Sequence, residues 1–229
     1  LGHEGGEKNL SVLISPEFNN ADMIHLAGKI AYDLSVWHEI ATWFGASTIP
    51  FVPERYSSFS IEDAYSNLLG VTIGMQALQS DLPYDEAVTK LIDDHLRDLE
   101  AVTTEAETYM AMESVRDIWW TRDKKLPSSK VLLERQVQVY PCLKPWLVPG
   151  MKPVNQLSAE LSVPESSVAG ISLNDYYQLD FKLNYKFPFR KIFPDRKDRN
   201  ITQNDFDRLL TEVASEIEKK EIQQRNRKL

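Results

Sequence analysis

The hydrophobic residues of this 229-residue chain change their spacing along the sequence, from a helical period to a strand period. In the first 120 residues they recur every three or four positions, which places them on one side of an α-helix. Asn19 or Asn20 is suited to begin the first helix, and Gly45 to end it. The spacing predicts helices over about 20–44, 60–79, 81–102 and 104–117.

The second half of the chain combines prolines with a strand pattern. Six prolines between residues 127 and 170 exclude long helices there. From Tyr177 to Phe187 apolar and polar residues alternate strictly, which is typical of a strand with one buried and one solvated face. A poorer strand is predicted within 131–139, and a final amphipathic helix over about 203–221.

These patterns together predict a single α+β domain covering residues 1–229. Its mostly helical part, with about four helices, spans about 20–120. A proline-rich part with a small antiparallel sheet spans about 121–200, and the C-terminal helix of about 203–221 follows it.

Composition narrows the class of protein. Hydrophobic residues make up 42% of the chain and charged residues 26%, as in ordinary globular domains. No apolar run approaches the roughly 18 residues that a membrane-spanning helix needs, so no transmembrane segment is predicted. The single cysteine, Cys142, excludes an internal disulfide and a cysteine-based zinc finger.

Charge is divided unevenly between the two halves of the chain. Residues 1–120 contain 20 Asp and Glu against 6 Lys and Arg, a formal charge of −14. Residues 121–229 contain 14 Asp and Glu against 20 Lys and Arg, a formal charge of +6. This division indicates either that the halves dock on each other or that the domain presents two faces of opposite charge.

Polar side chains recur at helical spacing on two of the predicted helices, so that each helix presents one polar stripe. On the first helix the stripe contains His38 and Thr42, with Glu39 at its edge. On the second helix the corresponding residues are Asp63, Ser66 and Asn67, with Glu62 at the edge. If these helices pack antiparallel, the two stripes face each other across a polar cleft.

This polar cluster has two interpretations. As a catalytic site, it uses His38 as base or ligand, with Glu39 and Asp63 as carboxylates that orient the ring. The side chains expected to contact the substrate are then Thr42, Glu62, Ser66 and Asn67. As a structural staple, the same side chains hydrogen-bond to one another and fix the register of the two helices without catalysis.

The sequence also bears on metals and cofactors. His38 and Glu39 begin an H-E-x-x-H pattern, but Thr42 stands where the second histidine ligand is needed, which argues against zinc. A hard cation such as calcium, held by Glu39, Glu62 and Asp63, stays open. No Gly-rich phosphate loop, G-x-S-x-G elbow or dinucleotide-binding fingerprint is present, so the cofactor is otherwise unknown.

Residues 182–199 combine seven Lys and Arg with four aromatic residues. Such a mixture can bind nucleic acid or an anionic membrane surface. Because the aromatic residues up to Phe187 keep the strand alternation, the sequence favours their burial in the core. Nucleic acid is therefore not expected as a partner, and a peripheral membrane contact stays open.

Three segments of the chain resemble a bacterial family known only as domain of unknown function 4056. They are WHEIATWFG at 37–45, SSFSIEDAYSNLLG at 57–70 and PWLVPG at 145–150. The resemblance implies a common fold from about residue 20 to about 190, without a known activity. The first two shared segments contain His38, Glu39, Thr42, Glu62, Asp63, Tyr65, Ser66 and Asn67. The resemblance thereby adds Tyr65 to the side chains expected to contact the substrate.

Members of that family resemble longer precursors with export or lipoprotein leaders, which suits a chain that begins at Leu1. The resemblance therefore implies the periplasm or cell envelope, with lipid anchorage through a removed N-terminal segment. The leading hypothesis is an exported domain whose cleft carries out a hydrolytic reaction on a small molecule or an envelope component. The alternative is a non-catalytic envelope binding module that uses residues 182–199 or the tryptophans, with the polar cluster as a staple.

Overall fold

The structure, a computed structural model, describes residues 7–45, 54–122, 131–151, 159–183, 185 and 187–226. Within these residues the helices are α1 (Asn20–Trp43), α2 (Asp63–Gln79), α3 (Tyr84–Asp98), α4 (Glu105–Ser114), α5 (Phe189–Ile192) and α6 (Phe206–Asn226). Short 3₁₀ helices lie at Glu54–Tyr56, Leu173–Tyr176 and Gln203–Asp205. The predicted helical first half and C-terminal helix are confirmed.

The strands form three small antiparallel sheets. They are β1 (Glu7–Val12), β2 (Trp120–Thr121), β3 (Val131–Leu132), β4 (Cys142–Leu143), β5 (Leu161–Ser162), β6 (Tyr177–Lys182) and β7 (Asn200–Ile201). The largest sheet has the order β1-β6-β7, and β2 pairs with β3 and β4 with β5. The α+β class predicted from the sequence is confirmed.

Local capping explains where the helices begin and end. The Asn19 side chain accepts from the Asp22 N–H at 3.0 Å, and the Asp22 carboxylate accepts from the Asn19 N–H at 3.1 Å, which closes a capping box before α1. α3 ends four residues before the predicted position, at Asp98. There Glu100 has a positive φ of 50° and the Ala101 N–H donates to the Leu96 carbonyl at 2.9 Å, which terminates the helix.

The alternating segment is a shorter strand than predicted. Tyr177, Leu179 and Phe181 are buried in β6 while their neighbours face outward, as the alternation predicts. The strand ends at Lys182, and Tyr185 is 85% exposed, so the expectation that the alternation continues to Phe187 is wrong at Tyr185. The predicted strand within 131–139 is also reduced to the two residues of β3.

α1 and α2 pack antiparallel. A Cβ added to Gly28, early in α1, would lie 2.2 Å from the Met75 Sδ, late in α2. The missing side chain of Gly28 leaves the space that the Met75 side chain occupies between the two helices. At the other end of the pair, Glu39 of α1 lies close enough to Asp63 of α2 for their charges to interact. This arrangement places the polar stripes of the two helices at the same end.

One hydrophobic core joins the two halves of the chain. The Trp37 ring of α1 stacks on Phe181 of β6 with ring centroids 4.1 Å apart, and on Phe206 of α6 at 6.2 Å. Phe189 and Phe193, from the basic aromatic segment, are buried in the same core. No helix in the described part of the chain is both long and apolar enough to cross a membrane.

Candidate functional site

The C-terminal half of α1 and the start of α2 enclose a cavity of about 720 Å³, here called the polar cavity. α1 contributes Ser35, His38, Glu39 and Thr42. The α2 end contributes Glu62, Asp63 and Asn67, and the segment before it contributes Glu54, Tyr56, Ser57, Ser58 and Ser60. Leu132 of β3 completes the lining, and the volume is within the range of small-molecule sites.

Six of the eight sequence-predicted site residues line the polar cavity: His38, Glu39, Thr42, Glu62, Asp63 and Asn67. Tyr65 and Ser66 lie elsewhere, along an apolar groove on another side of α2. Tyr65 is about 200° around the helix from Asp63, and its hydroxyl donates to the Ala159 carbonyl at 2.8 Å. The exposed Ser66 hydroxyl donates to the Asp63 carbonyl at 3.1 Å, so its hydrogen bond lies within its own helix.

Glu39 is the most perturbed acid of the polar cavity. Its side chain is buried, with the residue 8% exposed, and its Oε2 accepts a hydrogen bond from the Phe59 N–H at 2.6 Å. Burial raises the pKa of Glu39 to about 7, and the negative charge of Asp63 acts in the same direction. The Phe59 N–H and the Arg135 charge oppose this shift. Both protonation states of Glu39 are therefore populated near neutral pH.

Asp63 connects the start of α2 to His38. Burial and the neighbouring Glu62 charge raise the pKa of Asp63, while hydrogen bonds from the hydroxyl and backbone N–H of Ser60 lower it. The half-buried His38 also lowers the pKa of Asp63 electrostatically. Imidazole and carboxylate are therefore close enough to interact across the cavity.

Arg135 fixes the segment before α2 that forms one wall of the cavity, next to Glu39. Its guanidinium donates to the carbonyls of Tyr56, at 3.1 Å, and Ser58, and the adjacent Gln136 N–H donates to the Phe59 carbonyl at 2.9 Å. Burial and the charge of Arg55 lower the pKa of Arg135 to about 10. These bonds fix the segment whose Phe59 N–H meets Glu39. The sequence signal for this role is that Arg135 interrupts the apolar positions of the strand predicted within 131–139.

The polar cluster is open rather than closed on itself. Among the described residues, no hydrogen bond joins a side chain of α1 to a side chain of α2 across the cavity. The Thr42 hydroxyl is buried without a partner in the described part of the chain. Buried hydroxyls are normally hydrogen-bonded, so an unpartnered one beside a cavity is a contact point for a ligand or water. A structural staple instead requires side chains of α1 and α2 that hydrogen-bond to one another.

The carboxylates of the cavity do not form a cation site. In the described ranges, no three His, Cys, Asp or Glu side chains are placed so that they can hold a metal ion. The calcium alternative at Glu39, Glu62 and Asp63 therefore has no support from the geometry.

The titration of Glu39 predicts how stability depends on pH. Its pKa is about 7 in the folded protein against an ordinary value of 4.5, so the native state binds the extra proton between these values. The free energy of unfolding should fall by about 3 kcal/mol as the pH rises from about 4.5 to above 7. Urea denaturation across this range measures it. Glu39→Gln should lack this decline, whereas Glu17→Gln, at an exposed carboxylate, should retain it.

These features define an α+β domain with an acidic, hydroxyl-rich cavity between two antiparallel helices. The chain matches the family described as Protein of unknown function (DUF4056) over residues 14–149, more than half its length, and it belongs to that family. Every residue that lines the polar cavity lies inside the match, while β6 and α6 lie beyond it. No curated protein and no solved structure shows significant similarity to the chain.

Proposed function

We propose that this protein is a hydrolase that uses the polar cavity for general acid–base catalysis. One observation carries the proposal: a buried carboxyl with a pKa of about 7, Glu39, faces an open cavity beside a histidine and a second carboxylate. Buried acids with such values are characteristic of groups that transfer protons at neutral pH. A purely structural acid needs no adjoining cavity of ligand size.

The geometry favours a different role for Glu39 from the one expected from the sequence. Its Oε2 accepts the hydrogen bond from the Phe59 N–H, and among the described residues no hydrogen bond joins it to His38. Protonated Glu39 instead donates a proton to the leaving group, as a general acid. His38 accepts a proton from the attacking water, and the nearby Asp63 carboxylate stabilises the imidazolium that forms.

The proton and bond changes of this reaction balance. The water oxygen forms a bond to the electrophilic atom of the substrate while its proton passes to His38. The bond to the leaving group breaks, and the leaving atom takes the proton of Glu39. A proton then returns from His38 to Glu39 through solvent. Thr42 and Asn67, which line the same cavity, are placed to hydrogen-bond the substrate.

His38→Ala tests this function against the staple. His38 is half-buried and makes no hydrogen bond within the described residues, so the free energy of unfolding should change by less than about 0.5 kcal/mol. Hydrolysis should fall at least about tenfold because the base is lost. A panel of uncharged and cationic chromogenic esters, anilides and glycosides supplies the assay.

The matched control is His95→Ala. His95 bonds to Gln76 outside the cavity, so this variant should keep the wild-type rate. A large loss of stability in His38→Ala, together with no hydrolysis by the wild-type protein, would instead favour the staple.

A non-catalytic binding module of the cell envelope is the second candidate function. The basic aromatic segment does not support it through Phe189 and Phe193, because both rings are buried. The observation that does favour it is the apolar groove along α2, where Trp146 is 46% exposed. Ligand binding without turnover of any substrate in the panel would select this alternative.

Export to the periplasm or cell envelope is also part of the proposal. It is supported by the family resemblance and by no contact in the structure. Fractionation of cells that produce the complete precursor tests it, because an exported protein leaves the cytoplasmic fraction.

A further inference from the structure

An apolar groove of about 620 Å³ lies next to the polar cavity. We call it the tryptophan groove and define it by Tyr65, Leu69, Trp119, Trp146, Leu147 and Val148. Trp146 and Leu147 are exposed, and the Trp146 indole N–H is held by the Gln136 side chain at 3.0 Å. The groove is thus a concave apolar surface with a fixed aromatic wall, open to solvent.

The tryptophan groove and the polar cavity are continuous. Glu62 lines both of them, at the start of α2. A smaller depression between them is lined by Leu132, which belongs to the cavity, and by Trp119 and Val148, which belong to the groove. A ligand that enters the cavity past Glu62 therefore meets apolar side chains at once.

Among the described residues, the carboxylates that line the cavity, the depression and the groove give this path a negative charge. No Lys or Arg is among the described residues that line the cavity, the depression or the groove. The cavity presents Glu62 and Asp63, and Glu107 lines the groove. Such a surface repels anionic groups and attracts cationic ones.

We infer that the polar cavity and the tryptophan groove form one extended site for an amphiphilic substrate without negative charge. Its cationic or uncharged polar end occupies the cavity beside Glu39, and its apolar chain lies along Trp119 and Trp146. As a statement about a substrate, this inference rests on the proposed hydrolase function. As a statement about binding, it is tested without turnover.

Alkyl probes of increasing length test the groove. Hexyl-, octyl- and decyltrimethylammonium, titrated calorimetrically below their micelle concentrations, should bind with an affinity that rises about fourfold for each added methylene. Alkyl sulfates of the same lengths should bind at least about tenfold more weakly, because their heads meet the carboxylates of the cavity.

A blocking variant separates the groove from non-specific binding. Ala111 of α4 lines the groove and the depression, so Ala111→Trp should fill that space and abolish the dependence on chain length. Ala106→Trp places the same ring on the exposed part of α4 as the control, and it should retain wild-type binding. Affinity that does not depend on chain length, or is unchanged in Ala111→Trp, overturns the inference.

Two further outcomes distinguish failure of the hydrolase proposal from failure of the extended-site inference. If the probes bind as expected but no amphiphile is hydrolysed, the hydrolase proposal fails while the extended binding site stands. If short substrates are hydrolysed without any gain from a longer chain, the hydrolase proposal stands and this inference fails. A concentration-dependent dimer that Ala111→Trp dissociates would assign the groove to a second copy of the chain, and would also overturn it.

Discussion

Glu39→Gln is expected to lower kcat/KM for hydrolysis by a factor of about 10² to 10⁴ while the protein stays folded. The amide cannot deliver a proton to a leaving group. Its carbonyl oxygen can still accept the hydrogen bond that the Phe59 N–H donates to Glu39 at 2.6 Å, so the cavity wall keeps its position. Steady-state kinetics on the substrate that the wild-type protein turns over fastest measures this loss.

The pH profile distinguishes a catalytic acid from a side chain that only shapes the cavity. In the wild-type protein, kcat/KM should fall as the pH rises past about 7, because Glu39 loses its proton there. Glu39→Gln should lack this limb of the profile, and Glu17→Gln should retain both the limb and the full rate. A Glu39→Gln variant with an unchanged rate would remove Glu39 from the reaction.

Helical phase accounts for the part of the cavity that the sequence predicted. The residues at 38, 39 and 42 follow one another on α1, and those at 63 and 67 are one turn apart on α2. Positions within a helix are a local property, so their relative directions can be read from spacing alone. Tyr65 was singled out only by the family resemblance, and the structure places it in the tryptophan groove.

The other side of the cavity could not be predicted in this way. The bond between Glu39 and Phe59 joins residues 20 positions apart, and the bond between Arg135 and Ser58 joins residues 77 apart. Both depend on how the chain returns to α1, which no periodic pattern encodes. The raised pKa of Glu39 depends on that burial, so the sequence alone assigned it only an orienting role.

The same limit explains the strand that the sequence analysis missed. β1 lies near the start of the chain and pairs with β6, which is far away in the sequence. Glu7 lies opposite Lys182, and Val12 lies opposite Tyr177. All six residues of β1 are exposed, so the segment has no buried face and shows no alternation to detect. β6 is buried on one face, and its alternation was therefore visible.

Asp33→Ala is expected to lower the free energy of unfolding by about 3–5 kcal/mol, the largest effect on stability that we predict. Asp33 is 1% exposed on α1, and its carboxylate accepts hydrogen bonds from Lys29 at 2.8 Å, from the Tyr140 hydroxyl at 2.7 Å and from the Tyr177 hydroxyl. Its loss leaves the Lys29 charge, on a residue only 4% exposed, with Glu165 as its remaining ion-pair partner at 3.3 Å.

The matched control is another Lys–Asp pair four residues apart on a helix. Lys90 and Asp94 of α3 lie 2.6 Å apart on the exposed surface. Asp94→Ala should have a much smaller effect than Asp33→Ala, because water solvates the remaining lysine. Urea denaturation at constant pH compares the two variants. Equal losses would contradict the role of burial in the Asp33 network.

A double variant shows how much of that loss comes from the uncompensated charge. Lys29→Met combined with Asp33→Leu removes both charges, and buried ion pairs can often be replaced by apolar side chains at little cost. The Tyr140 and Tyr177 hydroxyls still lose their acceptor, so part of the destabilisation should persist. The double variant should therefore be more stable than Asp33→Ala alone. If it is equally destabilised, the loss comes from the hydrogen bonds that tie α1 to Tyr140 and to Tyr177 of β6 rather than from the buried lysine.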